Sequence, residues 1–267
     1  MKRLIFILIA FMSMTGANIK AQTMTPVIKN EVLKYDVMFK WGFIEKQAGH
    51  VTLTTSPDSN TDYFTSTLTG RSVDLVDNYY TVRDTLIGKI SKITVQPVSY
   101  ERIAHEGGAF YRDKVNFFND GQGNVSGQAT SYKKGRDGNE QHGEKLMTAT
   151  GITFDMLSAM YYTRFIDYDS MTKGQSLVFN IFSGSKQERL KVTYNGKTNV
   201  TVPAFEDQSK QCYQISFSFT YTDKDKKKSS DPIEAWISTD ELRIPYQLTG
   251  KLPIGAIKCV MTSQTVF

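Results

Sequence analysis

Two cysteines among 267 residues exclude a disulfide-dense scaffold. With only three histidines beside them, they also leave too few ligands for most multi-ligand zinc or iron–sulfur centres. His50, His105 and His142 are far apart, and His105-Glu106 has no second histidine at helical spacing, so a zinc-protease helix is absent. No Gly-x-Ser-x-Gly elbow occurs; Ser183-Gly184-Ser185 sits between two strand-like runs, the wrong setting for a nucleophile. No glycine-rich stretch precedes a lysine and a helix, so no phosphate cradle is present. Beyond the N-terminus no apolar run reaches the ~18 residues of a membrane span, which excludes a transmembrane helix in the mature chain. The reading therefore assigns no catalytic residue, no metal ligand and no cofactor. Asp and Glu are plentiful, but sequence alone does not pair them across a cleft.

What is present starts with an export signal. Lys2 and Arg3 precede an apolar stretch from Leu4 to Met12, and Ile19-Lys20-Ala21 offers a small-residue cleavage site. Residues 1–21 are read as a signal peptide, 22–30 as an N-terminal extension and 31–262 as one β-rich domain. The expected location is the periplasm, with secretion or peripheral association with the outer membrane as variants. The formal charge of +5 falls to +2 when Lys2, Arg3 and Lys20 leave with the signal. A near-neutral chain has no general attraction for nucleic acid. The basic run Lys224-Asp225-Lys226-Lys227-Lys228 reads as a solvated hairpin tip.

Period-two alternation dominates the rest. Leu33, Tyr35, Val37, Phe39 and Trp41 fall on one face, with Lys34, Asp36, Met38 and Lys40 on the other. Further strands are expected at Ala48–Thr55, Tyr63–Gly70, Tyr79–Gly88, Val98–His105, Phe110–Phe118 and Asn124–Lys133. After them Gly135–Glu144 reads as an exposed loop. The second half adds Gln175–Phe182, Gln187–Tyr194, Lys197–Val202, Gln211–Thr220, Pro232–Ser238, Leu242–Thr249 and Ile254–Thr262. Asn195-Gly196 is read as a hairpin turn. One segment breaks the pattern: Met156, Leu157, Met160, Tyr161 and Arg164 recur at helical spacing, which predicts a helix near 153–165 with Thr153 as its cap. The fold class is mainly β, with curved antiparallel sheets forming a barrel, half-barrel or sandwich around one substantial helix.

Cys212 and Cys259 lie in strand-like runs of a chain read as exported. Either they form a disulfide closing a loop of about 47 residues, or they are two separate buried thiols. Sixteen Phe, fourteen Tyr and two Trp can fill a wide β core or line a ligand cavity.

Three segments are distinctive together: Leu33–Val37, Phe154–Arg164 with its Asp155-Met156-Leu157-Ser158 start, and Glu234–Pro245 with Trp236-Ile237-Ser238-Thr239-Asp240 and Arg243-Ile244-Pro245. They resemble the bacterial exported domain-of-unknown-function family 3108, over about Glu31 to Val260. The resemblance implies location and architecture rather than a reaction. The residues singled out are Asp155, Tyr161, Arg164, Trp236, Asp240 and Arg243, as structural or ligand contacts. Ser238-Thr239-Asp240 can bond its own turn. Arg243 is placed just inside the next strand, within reach of Asp240 or Asp155, and Pro245 suits an edge or bulge.

The expected function is a non-catalytic binding protein of the cell envelope, holding a lipid-like apolar or amphipathic ligand against the helix. Two alternatives stand beside it. One is an assembly factor that pairs an exposed strand with an envelope protein; the other is a surface-polymer hydrolase using converging carboxylates.

Overall fold

The computed structural model describes residues 25–223, 226–252 and 255–267. The segment read as an export signal, and Lys224-Asp225 at the tip of the basic run, lie outside them. The chain begins β1 (Glu31–Trp41), β2 (Ile44–Pro57) and β3 (Tyr63–Ser72), then a four-residue helix α1 (Asp74–Asp77). It continues as β4 (Val82–Ser91), β5 (Pro97–Glu106), β6 (Ala109–Asn119), β7 (Asn124–Lys134) and β8 (Glu140–Thr150). A two-residue strand β9 (Thr153–Phe154) leads into the helix α2 (Met156–Arg164). The second half is β10 (Ser176–Ser183), β11 (Lys186–Val202), β12 (Gln208–Asp223), β13 (Lys226–Ser229), β14 (Ile233–Ser238), β15 (Pro245–Lys251) and β16 (Ala256–Val266).

All of these strands join one sheet. β1 pairs with β2 on one side and β16 on the other, so each half of the chain winds outward as a meander from a shared centre. Among the described residues, only β9 pairs in parallel, with β10. The far ends of the sheet curl toward each other: Lys145 Nζ donates to the Ser185 carbonyl at 3.0 Å and Gln187 Nε2 to the Thr148 carbonyl at 3.1 Å. Phe117 and Phe182 stack across the same closure, with centroids 6.0 Å apart. Gly127 on β7 permits this approach, because a Cβ there would meet the Phe182 ring at 2.6 Å. The outcome is a nearly closed, barrel-like sheet, as alternation demanded.

Helix α2 lies inside it. Leu157, Ser158, Ala159 and Tyr161 through Arg164 are all buried; Met156 and Met160, one turn apart, are the accessible side of the helix. Its cap is Asp155 and not Thr153, which belongs to β9. The Asp155 carboxylate accepts from the Leu157 and Ser158 amides at 2.7 and 3.1 Å, and the Asp155 amide donates back to Ser158 Oγ at 3.0 Å.

Three further expectations are corrected, and the two readings of Cys212 and Cys259 are decided. Gly135–Glu144 is no simple loop: only a tight turn separates β7 from β8, a strand with both faces mostly wet and hence no alternation to read. Asn195-Gly196 is a β-bulge, not a hairpin. β11 runs straight through it, and Asn195 is the extra residue between the Tyr194–Ile215 and Gly196–Gln214 pairs. Arg243 stands in the Ser238–Ile244 turn with φ +50°, ahead of β15 rather than inside it. Cys212 and Cys259 are free thiols. Their strands, β12 and β16, are separated by β14 and β15, three inter-strand steps or about 14 Å, too far for a disulfide. Pro245 does sit at a bulge, opposite Ile237 where the β14–β15 register shifts.

Candidate functional site

The concave face of the sheet encloses a cavity of about 320 Å³, partly open to solvent. One wall is Tyr35, Val51, Leu53, Leu68 and Leu86, on β1 to β4. The opposite wall includes Leu190, Ile215, Phe217, Phe219 and Leu248, with Cys259 beside them. Met156, Leu157, Ala159, Met160 and Thr163 of α2 close it from within. The lining is almost wholly apolar, and the volume is at the lower end of the range for small-molecule sites. Burial pushes the Cys259 thiol up to about 12, so it behaves as one more apolar group and not as a nucleophile.

None of the six residues singled out from sequence lines this cavity. Five belong to the frame that holds it, and the arrangement explains why the three distinctive segments go together. Arg164, at the end of α2, is buried and clamps Glu31 of β1 with two bonds of 2.6 and 3.0 Å. The same guanidinium donates to the Leu242 carbonyl in the β14–β15 turn at 3.3 and 2.8 Å. Tyr35 of β1 donates to the Pro245 carbonyl at 2.9 Å. Helix, first strand and late turn are therefore tied at one place, beside the cavity. Tyr161 and Thr55 share a hydrogen bond and stand 3.2 and 3.0 Å from Glu31, so one of the two hydroxyls donates to the carboxylate and the other to its neighbour; Ser66 donates to Tyr161 at 3.4 Å. Burial raises the Glu31 carboxyl, but the Arg164 charge and these hydrogen bonds outweigh it and hold it below the usual glutamate value. Burial pushes Tyr161 up to about 12 and Asp155 up to about 6, the latter against its capping bonds.

Asp240 organises the late turn: its Oδ1 accepts from Ser238 Oγ at 2.9 Å and from the Leu242 and Arg243 amides at 3.0 and 3.2 Å. Arg243 lays its guanidinium over the Tyr213 ring at 4.3 Å. Trp236 is in opposite phase to the cavity-lining Ala235 and Ile237, so it packs on the other face of β14. Glu31, Thr55 and Ser66 were not singled out from sequence. Glu31 was within reach, being two residues before Leu33 on the same face of β1. Thr55 and Ser66 carry no signal apart from the strands that pair them.

A second polar group occupies the inner phase of β4 to β6. Arg102 bridges Asp84 at 3.5 Å, Asp113 at 3.8 Å and Glu106. Burial, then the hydrogen bond and charge of Glu106, push Asp84 up to about 6. Among the described residues, no group of three or more His, Cys, Asp or Glu could hold a metal ion. Among them, too, no helix is long and apolar enough to cross a membrane.

Fold and frame together define a β-barrel-like protein with an internal apolar cavity. In fold the chain is similar to a crystal structure described as a beta-barrel-like protein of domain of unknown function DUF1849 from Brucella abortus. The TM-score is 0.57 at 9% identity, covering 91% of this chain and 100% of that one. The chain belongs to the family described as protein of unknown function (DUF3108), which matches residues 34–262 and so takes in two of the three distinctive segments whole and the first from Lys34 onward. No curated protein matches it.

Proposed function

We propose that this chain is an exported, non-catalytic protein of the cell envelope, working in the periplasm, that holds a lipid-like apolar or amphipathic ligand inside its curved sheet. The observation that carries this reading is the cavity, an apolar space between α2 and both walls of the sheet that the core leaves unfilled. A well-packed interior of this size would close such a space, since each unfilled methylene position forfeits dispersion contacts. The signal-like N-terminus supports the compartment.

Strand pairing with an envelope partner is less favoured by the edges. β9 is two residues long, and β8 carries Glu140, Glu144 and Lys145 on an exposed strand. The hydrolase reading has one observation in its favour, the Asp84–Glu106 carboxyl pair. Arg102 bridges both acids and Asp113 at once, which suits a structural knot better than a free acid and base.

The test is binding of a fluorescent fatty-acid analogue, with mass spectrometry of an organic extract of the gently purified protein. Filling the cavity by Ala235→Leu or Leu248→Trp is expected to weaken probe binding at least tenfold, with thermal unfolding still cooperative. Equal probe affinity in both variants, together with an extract free of any lipid-like molecule, would overturn the reading.

A further inference from the structure

Tyr35 of β1 lines the cavity, and the inward-phase stripe to which it belongs runs on past it. It climbs from Tyr35 through Val37 and Phe39 to Trp41 at the strand's end, where the side chains become exposed. There the β1–β2 hairpin turns at Gly42, with φ +58°, and presents Trp41 at 59% exposure, Phe43 fully exposed and Ile44 at 53%. The hairpin projects. β3 ends at Ser72, opposite Gly49, so residues 44–48 of β2 run on without a β3 partner. On the other side β16 begins at Ala256, opposite Lys40, and the incoming β15 end adds Leu252, 41% exposed. Two neighbouring hairpins thus carry their apolar side chains outward at one rim of the barrel. Trp41 and Ile44 have only each other as cross-strand partners, Phe43 stands in the turn between them and Leu252 follows the last residue of β15, and all four stay exposed.

The charges beside these side chains are mostly of one sign. Lys40 and Lys46 flank the β1–β2 tip and Lys251 precedes Leu252, all exposed, with Glu45 as the acid among them. Aromatic and aliphatic tips set in a collar of lysines match the interfacial zone of a bilayer: rings at headgroup depth and ammonium groups against anionic phosphates.

We propose that this rim is a docking surface for anionic lipid bilayers, with Trp41, Phe43, Ile44 and Leu252 entering the interface and Lys40, Lys46 and Lys251 pairing with phosphate headgroups. The rim rests on its own exposed residues and holds whether or not the cavity binds a ligand. If the cavity does, a docked rim brings the barrel up to a source of apolar molecules.

The experiment is vesicle flotation with phosphatidylglycerol–phosphatidylethanolamine liposomes against pure phosphatidylcholine, with tryptophan emission read in a Trp236→Phe background so that Trp41 is the reporter. The protein is expected to float with the anionic vesicles at low salt, with Trp41 emission shifted to the blue, and to be released as salt rises. Phe43→Ser with Ile44→Ser is expected to lower partitioning at least tenfold. Lys46→Gln alone should lower it about fivefold. Both variants should keep wild-type affinity for the fatty-acid analogue, which separates failure of docking from failure of the cavity reading. A protein that stays in the aqueous phase with anionic vesicles, or a Trp41 already blue-shifted without them because a second copy covers the tip, would overturn the proposal.

Discussion

Replacing Glu31 with glutamine tests the frame at its most buried point. The change keeps the shape of the side chain and an oxygen to accept from the Thr55–Tyr161 hydroxyl pair, but leaves the Arg164 guanidinium with no counter-charge inside the sheet. Removing one partner of a buried pair costs about 3–5 kcal/mol. Because Arg164 keeps the Leu242 carbonyl, the lower end is expected, about 3 kcal/mol. For a domain of this size that lowers the melting temperature by about 6–12 °C. The assay is urea unfolding at pH 7, with Arg164→Met and the Glu31→Leu/Arg164→Met pair completing a cycle. The double variant is expected to recover most of the loss, since an apolar pair of similar volume leaves no stranded charge. The sign with pH also follows. The folded protein holds Glu31 below the usual glutamate value, so its contribution is full above that value and is lost as pH falls through the folded one. Glu31→Gln should therefore flatten the acid limb of the stability curve. A loss below about 1 kcal/mol, or a double variant as unstable as the single ones, would refute the claim that this pair ties the helix to the first strand.

Two other outcomes are expected. Asp155→Asn should weaken the fall in stability between about pH 4 and 6. There the folded wild type binds a proton more tightly than the unfolded chain and so loses stability as pH rises. Asp84 contributes with the same sign, so the Asp155→Asn/Asp84→Asn variant should fall less than either single variant, Asp113, also raised by burial, keeping part of the slope; urea midpoints across pH 4–7 measure both. Gly127→Ala should cost about 1–3 kcal/mol by driving a methyl group into the Phe182 ring. A crystal structure or amide exchange of that variant should show β7 and β10 parted at the closure, and unchanged exchange there would count against the contact.

Strand alternation and helical spacing were enough to read a β-rich fold with one helix, because a buried face imposes period two or 3.6 on any chain that has one. Where no face is buried that signal disappears, which is why β8, wet on both sides, reads as loop. Asn195-Gly196 shows a different limit. A left-handed glycine serves a hairpin and a bulge equally well, and only the partner strand β12 decides between them. The late turn was visible through Asp240, whose bonds are local; the left-handed backbone of Arg243 has no local cause and follows from the turn as a whole. Arg164 could be seen on its helix, but its partner is 133 residues away, and pairing across that separation is fixed by the sheet alone. The cavity was the least legible feature, because residues that line a hollow and residues that fill one have the same chemistry.

The β1–β16 seam has a consequence for how the barrel is made. Of the sheet's described strands, the one at its heart is synthesised before the rest and must wait more than two hundred residues for its second neighbour. Each half can form its own meander early, but the staves meet only when the final one is laid. Until then α2 has no finished vessel to sit in, and the hollow beside it does not exist.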